Sequence, residues 1–307
     1  MTVTTHKIEP ASWDTRRNTQ ESMLALTWRR FRKHKPAMVS ALILVLIVVG
    51  CVLVPLIVGY DPFNAPVELR RQPPSPAHLF GTDELGRDLL MRIWVGGRVS
   101  LLVGVAAMSL AILIGTLVGA IAGFYGGWID NVLMRFNDFM LSIPQLFILL
   151  LVAQLLRSMN IPELSGGPLP IITIIGLLSW TGAARLVRGQ FLSLKNKEFV
   201  DAARMSGAKN FRIIWRHILP NAASPIIVAA TLRVGAAIIT ESTLSFLGFG
   251  VQPPTATWGN MLKNAQAQMT YAPWTAIFPG LAILFTVLSL NYIGDGLRDA
   301  LDPHHVE

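Results

Sequence analysis

Apolar positions along this chain fall in long unbroken runs. They show neither the alternation of a half-buried strand nor the three-and-four spacing of a surface helix. Six runs are nearly free of charge: residues 37–59, 99–124, 139–156, 169–184, 222–248 and 274–293. The hydrocarbon core of a bilayer is about 30 Å thick, which takes roughly 20 apolar residues of α-helix to cross. Backbone N–H and C=O groups find no water there, so each run is predicted to be a helix that bonds them internally. The third run is the shortest and contains Pro144, and the fifth is interrupted by Arg233 and Glu241. The pattern predicts an all-α integral membrane protein with six transmembrane helices and both termini on one side.

Composition agrees with that pattern. Of 307 residues, 52% are hydrophobic and 14% charged, and the mean hydropathy is +0.50. Soluble domains carry about a quarter charged residues, so a water-facing surface is excluded here. The single cysteine, Cys51, leaves no room for a disulfide framework or a multi-cysteine metal site. The net charge of +8 needs no nucleic acid to explain it. Eight basic residues precede Pro36 and eight more lie between residues 185 and 221. Lys and Arg are retained on the cytoplasmic side, which places both termini and the 185–221 loop in the cytoplasm. The two segments that follow spans three and five carry one basic residue each, Arg157 and Lys263. A 36-residue basic lead and a 23-residue apolar run are too long for a cleaved signal peptide, so residues 37–59 read as an anchor.

The expected organisation is a cytoplasmic tail (1–36), a first transmembrane helix (37–59), an extracytoplasmic segment (60–98), a five-helix core (99–297) containing the cytoplasmic loop 185–221, and a cytoplasmic tail (298–307). The tail is expected to be mobile up to Glu21. From there to Lys35 it mixes apolar and basic residues, as in a helix on the inner leaflet or a plain stop-transfer flank. Trp94, Trp258 and Trp274 are expected near the outer interface, and Trp28, Trp128 and Trp215 near the inner one. In the second span, Ala111, Gly115, Gly119 and Gly123 recur every four residues. Such a stripe lets a neighbouring backbone come close.

Arg233 and Glu241 are the charges set deepest. Arg233 lies about 16 Å into its span and Glu241 about 12 Å further on. Intramembrane charges face a bundle interior or a wet pathway. They therefore read either as a translocation site for the two ends of a zwitterionic solute or as charges neutralised by packing partners. The loop 185–221 is too long for a plain connection. Phe199, Ala202, Ala203 and Ser206 sit at helical spacing, Gly207 interrupts, and a second short helix with Phe211, Ile214, Trp215 and Ile218 is expected to stop before Pro220. Two such helices suit the groove of a soluble partner.

Asp201-Ala202-Ala203, Gly207 after three more residues, and Leu219-Pro220 after a further eleven resemble the EAA loop of ABC-importer permeases. Asp201 replaces the usual Glu of that loop, and His217 stands at an Ile position. Phe80-Gly81-Thr82-Asp83, Gly86-Arg87-Asp88, Leu244–Gly248, Trp258-Gly259 and Gly294–Pro303 resemble the C-type permease of oligopeptide and dipeptide importers, so the likeness covers nearly the whole chain. It implies a type I importer permease fold. The implied partners are a second homologous permease, two ATPase subunits that hold ATP and Mg, an extracytoplasmic solute-binding protein, and membrane lipid. The chain itself would hold no cofactor, metal or catalytic residue. Asp201, Ala202, Ala203, Gly207, Leu219 and Pro220 would form the ATPase-coupling loop. The family keeps an acid at Glu241 but often an uncharged residue at Arg233. The likeness leaves the solute open among peptides, nickel chelates, glutathione and haem.

Independently of the likeness, no G-x-x-x-x-G-K-[ST] phosphate loop occurs in the sequence, so energy must come from a partner or a gradient. A gradient-driven transporter or channel is the rival reading. Six spans without an inverted repeat speak against it.

Overall fold

The computed structural model describes residues 23–59, 66–159 and 167–301. The expectations for residues 1–22 and 302–307 lie outside them. Eleven helices follow one another, and no strand occurs among the described residues. They are α1 (Met23–Lys33), α2 (Lys35–Val58), α3 (Leu89–Tyr125), α4 (Gly127–Ser142), α5 (Gln145–Ser158), α6 (Pro168–Leu178), α7 (Thr181–Leu194), α8 (Glu198–Met205), α9 (Asn210–Phe246), α10 (Trp258–Ala265) and α11 (Trp274–Leu301). Four are long and apolar enough to cross a membrane unbroken: α2, α3, α9 and α11. The third and fourth expected spans are not single helices. α4 and α5 meet at 86°, and α6 and α7 at 43°, which makes six spans if each bent pair is one. The first bend has a clear cause: Pro144 pushes Ile143 into extended backbone (φ −97°, ψ 128°), which a helix cannot continue. The second falls at Ser179-Trp180 with no proline in the break.

α3 is the central element, packed on α2, α6, α7 and α9. Its 37 residues rise about 55 Å, more than a hydrocarbon core requires. The glycine stripe faces α7. A Cβ on Gly115 would stand 2.5 Å from Ala183 Cβ, and one on Gly123 2.6 Å from Phe191 Cβ. One on Gly119 would collide with the Ala184 carbonyl oxygen. α2 is joined to α3 by a different device. Pro55 has no N–H, so the Cys51 carbonyl one turn back loses its helical donor. The Arg98 guanidinium of α3 donates to that carbonyl at 2.5 Å and also to the Val52 carbonyl.

Beyond the far end of α2, residues 66–88 form an ordered knot instead of a solvated loop. Asp83 is 2% exposed. It accepts from Arg87 Nε at 2.8 Å, from Arg92, and from the backbone N–H groups of Leu85 and Arg87 at 2.8 and 2.9 Å. Asp88 caps α3 by accepting from the Met91 N–H at 3.0 Å. Gly81 and Gly86 turn the chain at φ +75° and +87°. Phe80 stacks on Phe278 of α11 with centroids 3.9 Å apart. Trp258 is not an interfacial residue. It is fully buried and its indole N–H donates to the Ile93 carbonyl at 3.0 Å. Trp28, Trp128 and Trp215 are exposed at 59%, 77% and 41%.

Two predictions follow from this packing. Gly119→Val forces a branched side chain into backbone, so the melting temperature in detergent should fall by the equivalent of at least about 1–3 kcal/mol; an unchanged melt contradicts the packing. Burial alone would raise the Asp83 pKa. Arg92, Arg87 and the two backbone donors outweigh it and hold the carboxyl below its ordinary 3.8. A lowered folded-state pKa gives stability that is complete above the unfolded value and lost as pH falls through the folded one. Asp83→Asn should therefore cost about 3–5 kcal/mol at neutral pH, because it leaves the buried Arg92 guanidinium without a carboxylate and Arg87 with Glu84 alone, at 3.4 Å. Below pH 3.8 the melting curves of the two proteins should converge.

Candidate functional site

The first candidate lies between α8 and α9, at the bundle end that also carries α1. α8 ends in a Schellman motif: the Ala208 N–H donates to the Ala203 carbonyl at 3.0 Å and the Gly207 N–H to the Arg204 carbonyl at 2.9 Å. That motif needs a left-handed residue after the helix, and Gly207 supplies it at φ +79°. Space around Gly207 is open within this chain. Val200, Ala203, Ile213, Ile214 and Ile218 are buried against Phe124 of α3 and Val187 and Phe191 of α7. The opposite side is bare. Asp201 and Ala202 are exposed, Met205 and Phe211 are exposed at 84% and 73%, and among the described residues the Asp201 carboxylate meets Arg204, at 3.4 Å.

The second helix of this element neither stays short nor stops before Pro220. It runs on as α9 through a π-helical stretch, Ile213–Ile218, in which the Leu219 N–H reaches back to the Ile214 carbonyl. Pro220 then occupies the opening turn of the α-helical stretch Leu219–Phe246, where a missing N–H costs little. The wider π turn also moves the inward face. Ile213 and Ile218 are the fully buried residues, and Phe211 and Trp215 face out. Nearby, Arg188 of α7 grips Asp130 of α4 through Nε and Nη2 at 2.5 and 2.6 Å, and Arg185 pairs with Asp138 at 2.6 Å. Neither pair was singled out in the sequence, because partners some 50 residues apart leave no local spacing signal.

The second candidate was the pair Arg233 and Glu241, and the fold separates them. Eight residues of α-helix place them about 12 Å apart along α9 and roughly 80° apart around it. Glu241 is 0% exposed. It accepts from the hydroxyls of Ser245 at 2.7 Å, Ser100 at 3.3 Å and Ser242 at 3.5 Å. Ser100 belongs to α3 and itself accepts from the Trp258 N–H of α10 at 3.1 Å. The carboxylate is thus the centre of a joint between α3, α9 and α10. α10 lies close because Gly259 has no side chain: a Cβ there would be 2.6 Å from Ser242 Cα. Arg233 is only partly buried. Its guanidinium lies against Gly182 at the start of α7, and among the described residues it makes no ion pair.

Known proteins were compared with this arrangement. Residues 115–305 match the family model for the binding-protein-dependent transport system inner membrane component. Residues 22–74 match the N-terminal TM domain of oligopeptide transport permease C. The oligopeptide transport system permease protein OppC of Bacillus subtilis (strain 168) is 43% identical over 274 residues, 89% of this chain and 87% of that protein. The glutathione transport system permease protein GsiD of Escherichia coli O6:K15:H31 (strain 536 / UPEC) is 44% identical over 277 residues, 90% of this chain and 89% of that protein. A chain of the MetNI methionine ABC transporter in its inward-facing conformation superposes with a TM-score of 0.52 at 19% identity, over 68% of this chain and 98% of that one. At that identity the likeness speaks for the fold alone, which is that of a type I importer permease. The chain therefore belongs to the family of binding-protein-dependent transport system inner membrane components and is a multi-pass inner-membrane permease.

Proposed function

We propose that this permease forms, with a second homologous permease, the pathway of an ATP-driven importer for oligopeptides or dipeptides. Two ATPase subunits holding ATP and Mg supply the energy, and an extracytoplasmic solute-binding protein delivers the solute. Both termini and α8 face the cytoplasm. The relatives named for oligopeptide and for glutathione transport share one chemistry, a short peptide-bonded chain with charged ends.

The observation that carries this reading is the bare face of α8 and early α9. An element with its inner side buried on two spans and its outer side showing Met205, Phe211 and Ala202 suits the cleft of a soluble partner. Asp201, Gly207, Leu219 and Pro220 shape it: Gly207 sets the turn, and Leu219-Pro220 begin the span. Because this element is continuous with α9, closure of the ATPases would move the span itself. Phe211→Asp should leave expression and melting temperature unchanged, since Phe211 touches little of its own chain, yet cut binding-protein-stimulated ATP hydrolysis at least about ten-fold. Full stimulation in that variant would refute the docking. Gly207→Leu should uncouple hydrolysis from uptake, and Gly207→Asn, which tolerates a left-handed backbone, should retain more activity.

Arg233 is the residue we assign to the pathway. A guanidinium about halfway across a bilayer costs about 2.5–3.5 kcal/mol or more unless it meets water or a partner, and a wet lumen supplies that water. Glu241 acts on the pathway through the joint it holds. Arg233→Met should give folded protein with impaired peptide uptake. Glu241→Leu should lower the melting temperature, because three hydroxyls lose their acceptor at about 1–3 kcal/mol for each group left unsatisfied. Normal uptake in Arg233→Met would remove that residue from the pathway.

A further inference from the structure

Arg157 and Lys263 stand alone as the basic residues of two segments distant in sequence. Arg157 closes α5 and Lys263 lies in the last turn of α10. The fold brings both to one peptide, at the bundle end opposite α8. Gly248 follows α9 with φ +89°. Its carbonyl accepts from Arg157 Nη1 at 2.8 Å, and a Cβ on it would be 2.6 Å from Lys263 Nζ. Both side chains are exposed, and neither forms an ion pair among the described residues.

Capping α9 does not account for this arrangement. A helix C-terminus carries about half a negative charge, whereas two full positive charges converge on it. The Gly248 carbonyl also has a second donor, Gln252 Nε2 at 3.2 Å. Lys263 is therefore surplus to the cap, and among the described residues Arg157 spends one arm of its donor fork, Nη1, on that carbonyl. Two cations held at one backbone residue, one of them a planar fork, match a carboxylate.

We propose that Arg157 and Lys263 form a carboxylate clamp on the extracytoplasmic rim that receives an acidic side chain of the solute-binding protein. This rests on the importer reading above. A macromolecular partner is favoured over the solute because both residues sit exposed in the last turns of their helices, whereas Arg233 is the cation set at pathway depth. Charges at a rim chiefly govern encounter and its salt dependence.

The test uses the assembled importer in nanodiscs, titrated with its cognate solute-binding protein at several KCl concentrations while ATP hydrolysis is followed. In the Arg157→Gln, Lys263→Gln double variant the half-saturating concentration of binding protein should rise about ten-fold or more at low salt, and its dependence on KCl should flatten. Lys263→Arg, which keeps the charge, should behave as wild type. Unchanged half-saturation and salt slope would overturn the clamp. So would a lowered plateau with unchanged half-saturation, the outcome expected if the pair met the solute's own carboxylate. If the double variant does not assemble, the two single variants carry the same measurement. Absence of any stimulation in the wild-type importer would instead count against the importer reading.

Discussion

Gly115, Gly119 and Gly123 let the backbones of α3 and α7 meet with almost no side chain between them. Lipid chains are as apolar as leucine, so helices gain nothing in a membrane merely by hiding apolar surface from it. They associate through close packing and hydrogen bonds. The α3–α7 seam makes the rest possible. Phe124 and Phe191, at its basic end, are the floor on which Val200, Ile213 and Ile218 are seated. Were α7 to stand a methyl group further out, the bare face of α8 would have no fixed orientation.

The remaining joints obey one rule: a polar group that the helix cannot satisfy is met from another helix. Pro55 frees a carbonyl on α2, and Arg98 of α3 takes it. Glu241 needs donors, and hydroxyls from α3 and α9 provide them. Asp83 and its two arginines do the same in the knot above α3. Each device ties neighbouring elements at a specific register, which packing between smooth apolar surfaces would leave free.

Much of this was legible in the sequence. The four unbroken spans, the small-residue stripe and the glycine break at Gly207 follow from composition and spacing alone. Four features did not, each for a physical reason. Pro144 announced a weak point, but the 86° bend depends on where α5 finds packing. Pro220 reads as a helix stop, yet a π turn upstream absorbs it in the opening turn of the α-helical stretch. Trp258 reads as an interfacial aromatic but lies in the core, because Gly97 leaves room for its ring and the Ile93 carbonyl takes its N–H. Glu241 drew attention as a charge. Its hydroxyl partner on α3, Ser100, lies 141 residues away, beyond the reach of any local pattern.

The π stretch at Ile213–Ile218 also has a mechanical meaning. A π turn holds one residue more than the α turn it replaces. Winding that surplus into regular α-helix would turn everything N-terminal to it by about 100° relative to the rest of α9 and shift it about 1.5 Å along the axis. The helix that links the bare face beside Gly207 to the Glu241 joint therefore holds one discrete increment of slack.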